Sequence, residues 1–382
     1  MKGKIMKQLY TRAIERLILY GCPIWWHHTK TVRVSNKLLQ IQRIVLLSIT
    51  KAFSTSPTTA LQVLVGALPL DLKADQEAKT FILVHFKEVP INTGPISGAE
   101  IEEKFDMGTT HPAEARMINW HKELPTGSCV EIFTDGSKTQ ERVGAAFVVY
   151  DNKIEITTQR IRLKDSSSVF QAEAIALISA FIWINDYLKH ALKELITTEK
   201  TFKTINLNWI RGHIGIDGNE AADQAAKEAS NKAEVDCLLP TPILAAKDRI
   251  LKDAIQSWQE RWDNSEAGRQ TYEYYPKVSL KRLRTDFPLV MAITNHGKFP
   301  SYFKRFLRRN VRCGCGLEAE RGDAKHLIFR CPLLSEIRKE HLPGFAERLP
   351  SQELFYNSLC AKRIKLMMNY VIKNEDRIIV DT

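Results

Sequence analysis

The sequence predicts an α/β middle domain flanked by a helical N-terminal region and a small helical, cysteine-bearing C-terminal region. Three observations carry this reading. Residues 130–163 hold strand-like runs joined by turn residues. Before about residue 87, apolar side chains recur at helical spacing. Between Ile205 and Ser230 a strand gives way to a helix: Ile205, Leu207 and Trp209 alternate with Asn206, Asn208 and Ile210, and Ala222, Ala225, Ala226 and Ala229 then form a small-residue stripe that lets a helix lie close on a sheet.

At 382 residues the chain has room for two or three domains, and its 44% hydrophobic content is ordinary for a globular protein. A net charge of +11 and a pI near 9.2 make nucleic acid the leading partner class, with an acidic membrane surface second. No apolar run approaches the length of a membrane span, and MKGKIMKQLYTR at the start lacks a signal-peptide core. The expectation is an intracellular protein, nuclear or cytoplasmic, without a membrane partner; nothing indicates its oligomeric state. Seven cysteines, three of them between 313 and 331, suit reduced thiols and a metal site better than disulfides.

Taken in order, residues 1–88 read as helices. Leu9, Ala13, Leu17 and Tyr20 share a face; Ser35 caps a run through Leu38, Ile41, Val45 and Ile49; Ser56-Pro57 starts a third helix, and Leu72 to Val89 offers a fourth. Residues 89–128 form a linker, clearest in VPINTGPISGA, with partial helix around Ala113 to Trp120. The middle domain covers 129–232. Its first strand ends in Thr134-Asp135-Gly136-Ser137, leaving Asp135 where charge can face a cleft. Two further strands join at Asp151-Asn152. Gln171 opens a helix on which Glu173 shares a row with Leu177, Ala180 and Ile184, so its carboxylate is expected to point toward the sheet. Asp217 is read as the cap of the last helix, with Glu220 completing a capping box, and Asp223 borders the alanine stripe. A carboxylate beside such a packing face is costly to bury unless it is paired or holds a metal.

Beyond a break at Leu239 to Pro242 lies a basic and aromatic region, 241–340. From Thr241 to Arg312 it has 15 Lys or Arg against 7 Asp or Glu. Trp258, Trp262, Tyr272, Tyr274, Tyr275, Phe299, Tyr302, Phe303 and Phe306 are interleaved with them, either as stacking rings for nucleic acid or as the core of a helical domain with a basic surface. Cys313, Cys315, His326 and Cys331 follow as C-x-C-x10-H-x4-C, four ligands suited to a closed tetrahedral Zn2+ site. Residues 341–382 read as a helical tail, with Cys360 unpaired.

The strand bearing TDGS, the helix bearing QAEAIAL, and the GHIGIDGNEAAD run, in that order, resemble the type 1 ribonuclease H domain of insect-type non-LTR retrotransposons. The resemblance implies a ribonuclease H-like three-layer fold. It also implies hydrolysis of the RNA strand of an RNA/DNA hybrid by two-metal chemistry, with Asp135, Glu173 and Asp223 as Mg2+ (or Mn2+) ligands and His213 as an auxiliary group that helps product leave. LILYGCPIWW and TTALQVLVGALPLDL resemble the segment after the polymerase core of such elements, although a polymerase's paired aspartates are nowhere in the chain; a plain helical bundle reads the same way. The Cys/His motif resembles their C-terminal zinc knuckle. One departure matters. The family has a further strand with a fourth metal-ligand aspartate between the Glu helix and the His strand. Here the interval keeps helical spacing through Phe181, Ile184, Leu188, Leu192 and Leu195, and its only aspartate, Asp186, falls mid-helix. The expectation is therefore a helix from about Gln171 to near Thr197, a five-stranded sheet reduced to four, and either slow hydrolysis or a non-catalytic nucleic-acid-binding remnant.

Overall fold

The computed structural model describes residues 3–86, 88–89, 91, 94–102, 118–120, 130–139, 142–195, 207–210, 212, 215–342, 344, 349 and 351–382. The chain mixes helix and sheet and divides into two compact units, Met1–Pro95 with Ile250–Thr382, and Ile96–Arg249.

In the first unit the N-terminal helices include α1 (Val32–Thr50), α2 (Thr58–Val65) and α3 (Leu70–Phe86). Thr31, not Ser35, is the N-cap of α1, because the Ser35 hydroxyl donates instead to Asp71 in the first turn of α3, at 2.7 Å. Arg261 donates to both oxygens of the same buried carboxylate at 2.9 Å each. That bidentate bond joins α3 to the helix α6 (Ile243–Asp263), whose Trp258 and Trp262 enter one core with Ala60, Val63, Leu64 and Leu68. Regions expected to be separate, 1–88 and 241–340, thus share a hydrophobic interior.

The rings of the basic region build that interior. Trp258, Trp262, Tyr274, Tyr275, Phe299, Tyr302 and Phe303 are all buried, and Tyr272 and Phe306 pack partly buried against them. The core alternative is therefore the one the fold adopts, and these side chains are not a stacking surface for bases. Several basic groups are structural too. Arg282 is buried and bonds Val63 O and Lys277 O, and Lys7 caps three carbonyls, those of Val65, Leu280 and Arg282.

The second unit centres on an antiparallel sheet in the order β2 (Val130–Lys138), β3 (Val143–Asp151), β4 (Ile154–Leu163). The β3–β4 turn is Asn152-Lys153, one residue later than expected; both have positive φ, 47° and 67°, the conformation that matches strand twist in a two-residue hairpin. The middle strand, VGAAFVV, is apolar on both faces because both are covered. Val143, Ala145, Phe147 and Val149 meet Ala172, Ala176 and Ala180 of α4 (Val169–Leu195), and Ala146 and Val148 meet Ala222, Ala225 and Ala226 of α5 (Asp217–Ser230). The result is helix, sheet, helix in three layers.

Glycine lets the helices approach. A β-carbon on Gly136 would lie 2.5 Å from the Glu173 backbone nitrogen, and one on Gly144 would collide with the Ala226 carbonyl and the Ser230 nitrogen.

Helix α4 matches the expected span to within two residues at each end. Four expectations need correction. Among the described residues the sheet has three strands and not the expected four: the Trp209 strand β5 (Leu207–Trp209) pairs in parallel with β1 (Ile118–Trp120), so 118–120 are extended and not helical. Residues 113–117 lie outside the described residues. Strand β2 does not stop at the TDGS turn but pairs with β3 as far as Lys138↔Val143, which puts Asp135 inside the strand. The N-cap of α5 is Ile216, not Asp217, which is the first helical residue. Finally, Val169–Leu188 is long and apolar enough to cross a membrane by length and composition, contrary to the reading that no run approaches a span.

Candidate metal centre and acidic cluster

The four metal-type ligands of the C-terminal motif come together although they arise from different local structures. Cys313 closes β6 (Val311–Cys313), which pairs with β7 (Ile379–Asp381) near the end of the chain. Its carbonyl accepts from Gly316 N and its own N–H donates to Leu317 O, both at 2.8 Å, so the chain turns tightly and returns Cys315 beside it; Gly316 takes φ +92° to do so. His326 opens a short π-turn whose first N–H donates to Asp323 Oδ1 at 2.7 Å. Cys331 ends that turn, and Arg338 fixes its carbonyl at 2.8 Å.

Cys313 Sγ lies 3.8 Å from Cys331 Sγ, Cys315 Sγ lies 3.5 Å from His326 Nε2, and all four ligand atoms fall within 4.8 Å of one another. With Zn–S about 2.3 Å and Zn–N about 2.0 Å, a tetrahedron has edges of about 3.8 Å between sulfurs and about 3.5 Å between sulfur and nitrogen. The cluster therefore fits zinc, and three of its four residues are buried. The hydrogen bond between Cys313 and Cys331 lowers the Cys331 thiol and raises that of Cys313; a zinc ion would take all three cysteines as thiolates. Cys313 and Cys331 are members of the first unit's core, so the centre is built into that core.

The carboxylates of the second unit are arranged more loosely. Phe133 packs on α5, so Asp135, two residues on, faces the same side and meets Asp223 of that helix. Burial, opposed by a bond from Gly136 N–H at 2.9 Å and reinforced by the charges of Asp223 and Glu173, pushes the Asp135 carboxyl up to about 6. Asp223 accepts from Lys227 Nζ at 2.5 Å, one turn along α5.

Glu173 departs from expectation. It is exposed, as is Leu177, because the buried row of α4 is Ala172, Ala176 and Ala180; only small side chains fit where the helix lies on Gly136. Glu173 stands at the flank of that row, near enough for its charge to act on Asp135. Asp186 is exposed on the same helix. His213 lies outside the described residues. Composition did not reveal Lys227 as a partner of the cluster; its i+4 spacing from Asp223 was the available signal.

No protein-family model matches the chain, and no solved structure matches it significantly. Curated relatives do. It is 35% identical over 97 residues to the Retrovirus-related Pol polyprotein from type-1 retrotransposable element R1 of Bradysia coprophila, 24% of this chain and 10% of that protein. It is 37% identical over 98 residues to the Putative 115 kDa protein in type-1 retrotransposable element R1DM of Drosophila melanogaster, covering 24% of this chain and 9% of the relative. A Nasonia vitripennis R1 Pol polyprotein is 32% identical over 98 residues, 24% of this chain and 25% of the relative. The chain thus spans about a tenth of the first two relatives, and over about a quarter of its own length it is similar to R1 retrotransposon Pol polyproteins.

Proposed function

We propose that the chain is the C-terminal part of an R1-type retrotransposon polyprotein, with a ribonuclease H-like second unit that cuts the RNA strand of RNA/DNA hybrids at a low rate and a first unit stapled by zinc. The observation that supports hydrolysis is the meeting of Asp135 with Asp223 across β2 and α5, with Glu173 at the edge of α4 beside them. Asp135, Glu173 and Asp223 would hold Mg2+ or Mn2+, since hard ions take carboxylate oxygens. Such an ion, once bound, lowers the pKa of an attacking water and offsets charge on the leaving oxygen. The chain's own groups set the terms. Asp135 must give up its proton, and Lys227 must leave the Asp223 oxygen that it occupies.

A specific observation also favours the second reading, a nucleic-acid-binding remnant without hydrolysis. Helix α4 runs unbroken to Leu195, through the interval where the family carries its fourth carboxylate, and β2 has no second strand neighbour among the described residues. A labelled RNA/DNA hybrid incubated with the chain in Mg2+ and then Mn2+, beside Asp135→Asn, separates the two. Cleavage above the variant supports the enzyme; binding with cleavage no faster than the variant's supports the remnant.

A further inference from the structure

Helix α4 overhangs the outer edge of the second unit's sheet. It packs on β2 and β3, and its two flanks differ. On one side Ile175 meets Ile161 and Leu163 of β4. On the other Glu173 stands over Gly136 and its charge reaches Asp135, so that flank faces the outer edge of β2. The helical period places Phe170, Leu177, Phe181, Ile184 and Leu188 on the same flank as Glu173. Phe170 is 79% exposed, Leu177 44% and Phe181 42%, while Ile184 and Leu188 are half-buried. Beside this flank β2 has no second strand neighbour among the described residues. An apolar overhang and a strand edge thus form one ledge, and both are surfaces that folded chains tend to cover.

We propose that a second copy of this chain covers the ledge. The β2 strands of the two copies pair antiparallel, so that one sheet runs through both, and the two α4 flanks pack across the two-fold axis. Spacing favours this occupant. Because α4 lies over both β2 and β3, and neighbouring strands sit about 4.8 Å apart, the two α4 axes fall about 10 Å from each other, a distance at which helices pack. Size favours it too. The flank exposes roughly 400 Å² of apolar surface per copy, and two flanks with two strand edges reach roughly 1,200 Å², where specific interfaces begin. An anionic membrane surface fits less well, although the helix is apolar enough for one: residues 165–188 carry Asp165, Glu173 and Asp186 and no Lys or Arg. Ile178 and Ile182, 52% and 59% exposed, lie further round the helix and stay outside the contact. The association stands apart from hydrolysis and holds whether or not the second unit cuts RNA.

The test is sedimentation equilibrium of the full zinc-loaded chain, free of nucleic acid, across the micromolar range. Wild type should pass reversibly from the 43.7 kDa chain to twice that mass. Phe170→Glu/Phe181→Glu should weaken the dimer about tenfold or more, since it replaces two ring contacts by like charges facing each other across the axis. Ile182→Gln, an equally apolar position off the ledge, should dimerise like wild type. Hydrogen exchange on wild type reads the same contact without any substitution: raising the concentration should protect 130–138 of β2 together with 170–181 of α4. A wild type that stays monomeric would overturn the proposal, as would a dimer that the double variant leaves intact. Added protection in α4 without any in β2 would overturn the shared sheet. Binding of the monomer to phosphatidylserine vesicles, lost in the double variant, would mark a membrane-contacting helix and overturn the second copy as occupant.

Discussion

The Gly136 α-carbon faces the backbone of Glu173 so closely that a methyl group there would sit 2.5 Å from the Glu173 nitrogen. Strand β2 and helix α4 are thereby held at a spacing that only glycine permits, and the residue before Gly136 is Asp135. Gly136→Ala should push α4 off the sheet and cost about 1–3 kcal/mol of the second unit's stability, measured by denaturant unfolding followed at Trp183. An unchanged midpoint would mean that the contact relaxes without strain.

Asp135 gives the second unit an unusual pH response. Its folded carboxyl titrates at about 6, above the 3.8 of the unfolded chain, chiefly because it is partly buried. A raised carboxyl stabilises the fold fully below about pH 4 and loses that contribution as pH rises through 6. Without divalent ions, Asp135→Asn should therefore stabilise the unit at pH 7 by on the order of 1 kcal/mol once solvent screening is allowed for, and flatten its pH profile between 4 and 7. A variant less stable than wild type at pH 7 would contradict the assignment.

The first unit should respond in the opposite sense. Burial, with Arg305 and Arg43 nearby, pushes His296 down to about 4 from 6.5, and its Nδ1 lies 2.8 Å from Thr55 Oγ1. A depressed histidine contributes stability above pH 6.5 and loses it as pH falls toward 4. Thermal melts of the two units, resolved by hydrogen exchange, should cross over in this range; parallel profiles would refute the pairing.

Lys227 should oppose metal binding in the second unit. Because its ammonium occupies Asp223 at 2.5 Å, Lys227→Gln should lower the Mn2+ concentration needed for half-saturation several-fold, read by paramagnetic broadening or calorimetry. Equal affinity in the two proteins would show that the lysine swings away at no cost.

Zinc should be stoichiometric and confined in effect. Elemental analysis of protein prepared without chelator should give close to one zinc per chain. Cys331→Ser, or prolonged chelation, should destabilise the first unit by several kcal/mol while leaving the melt of the second unaltered. Metal-free protein with an unchanged melt would remove zinc from the account.

The residues by themselves determined a good deal. Periodicity fixed the three strands of 130–163 and the long helix from 169, because alternation and a 3.6-residue stripe are local properties of the chain. Spacing alone found Cys313, Cys315, His326 and Cys331, since tight turns bring ligands close in sequence close in space. Tertiary structure decided the rest. Aromatic residues among arginines look the same in sequence whether they stack on a ligand or on one another; only the packing of Ala60, Val63 and Leu64 against Trp258 and Trp262 shows them to be core. The row Glu173, Leu177, Ala180 and Ile184 reads as inward-facing, but where α4 lies on Gly136 the buried row is Ala172, Ala176 and Ala180, so Ala180 is buried while Glu173 and Leu177 are exposed. The partner of the Trp209 strand came from Ile118–Trp120, some ninety residues earlier, a pairing set by backbone hydrogen bonds that no local pattern encodes.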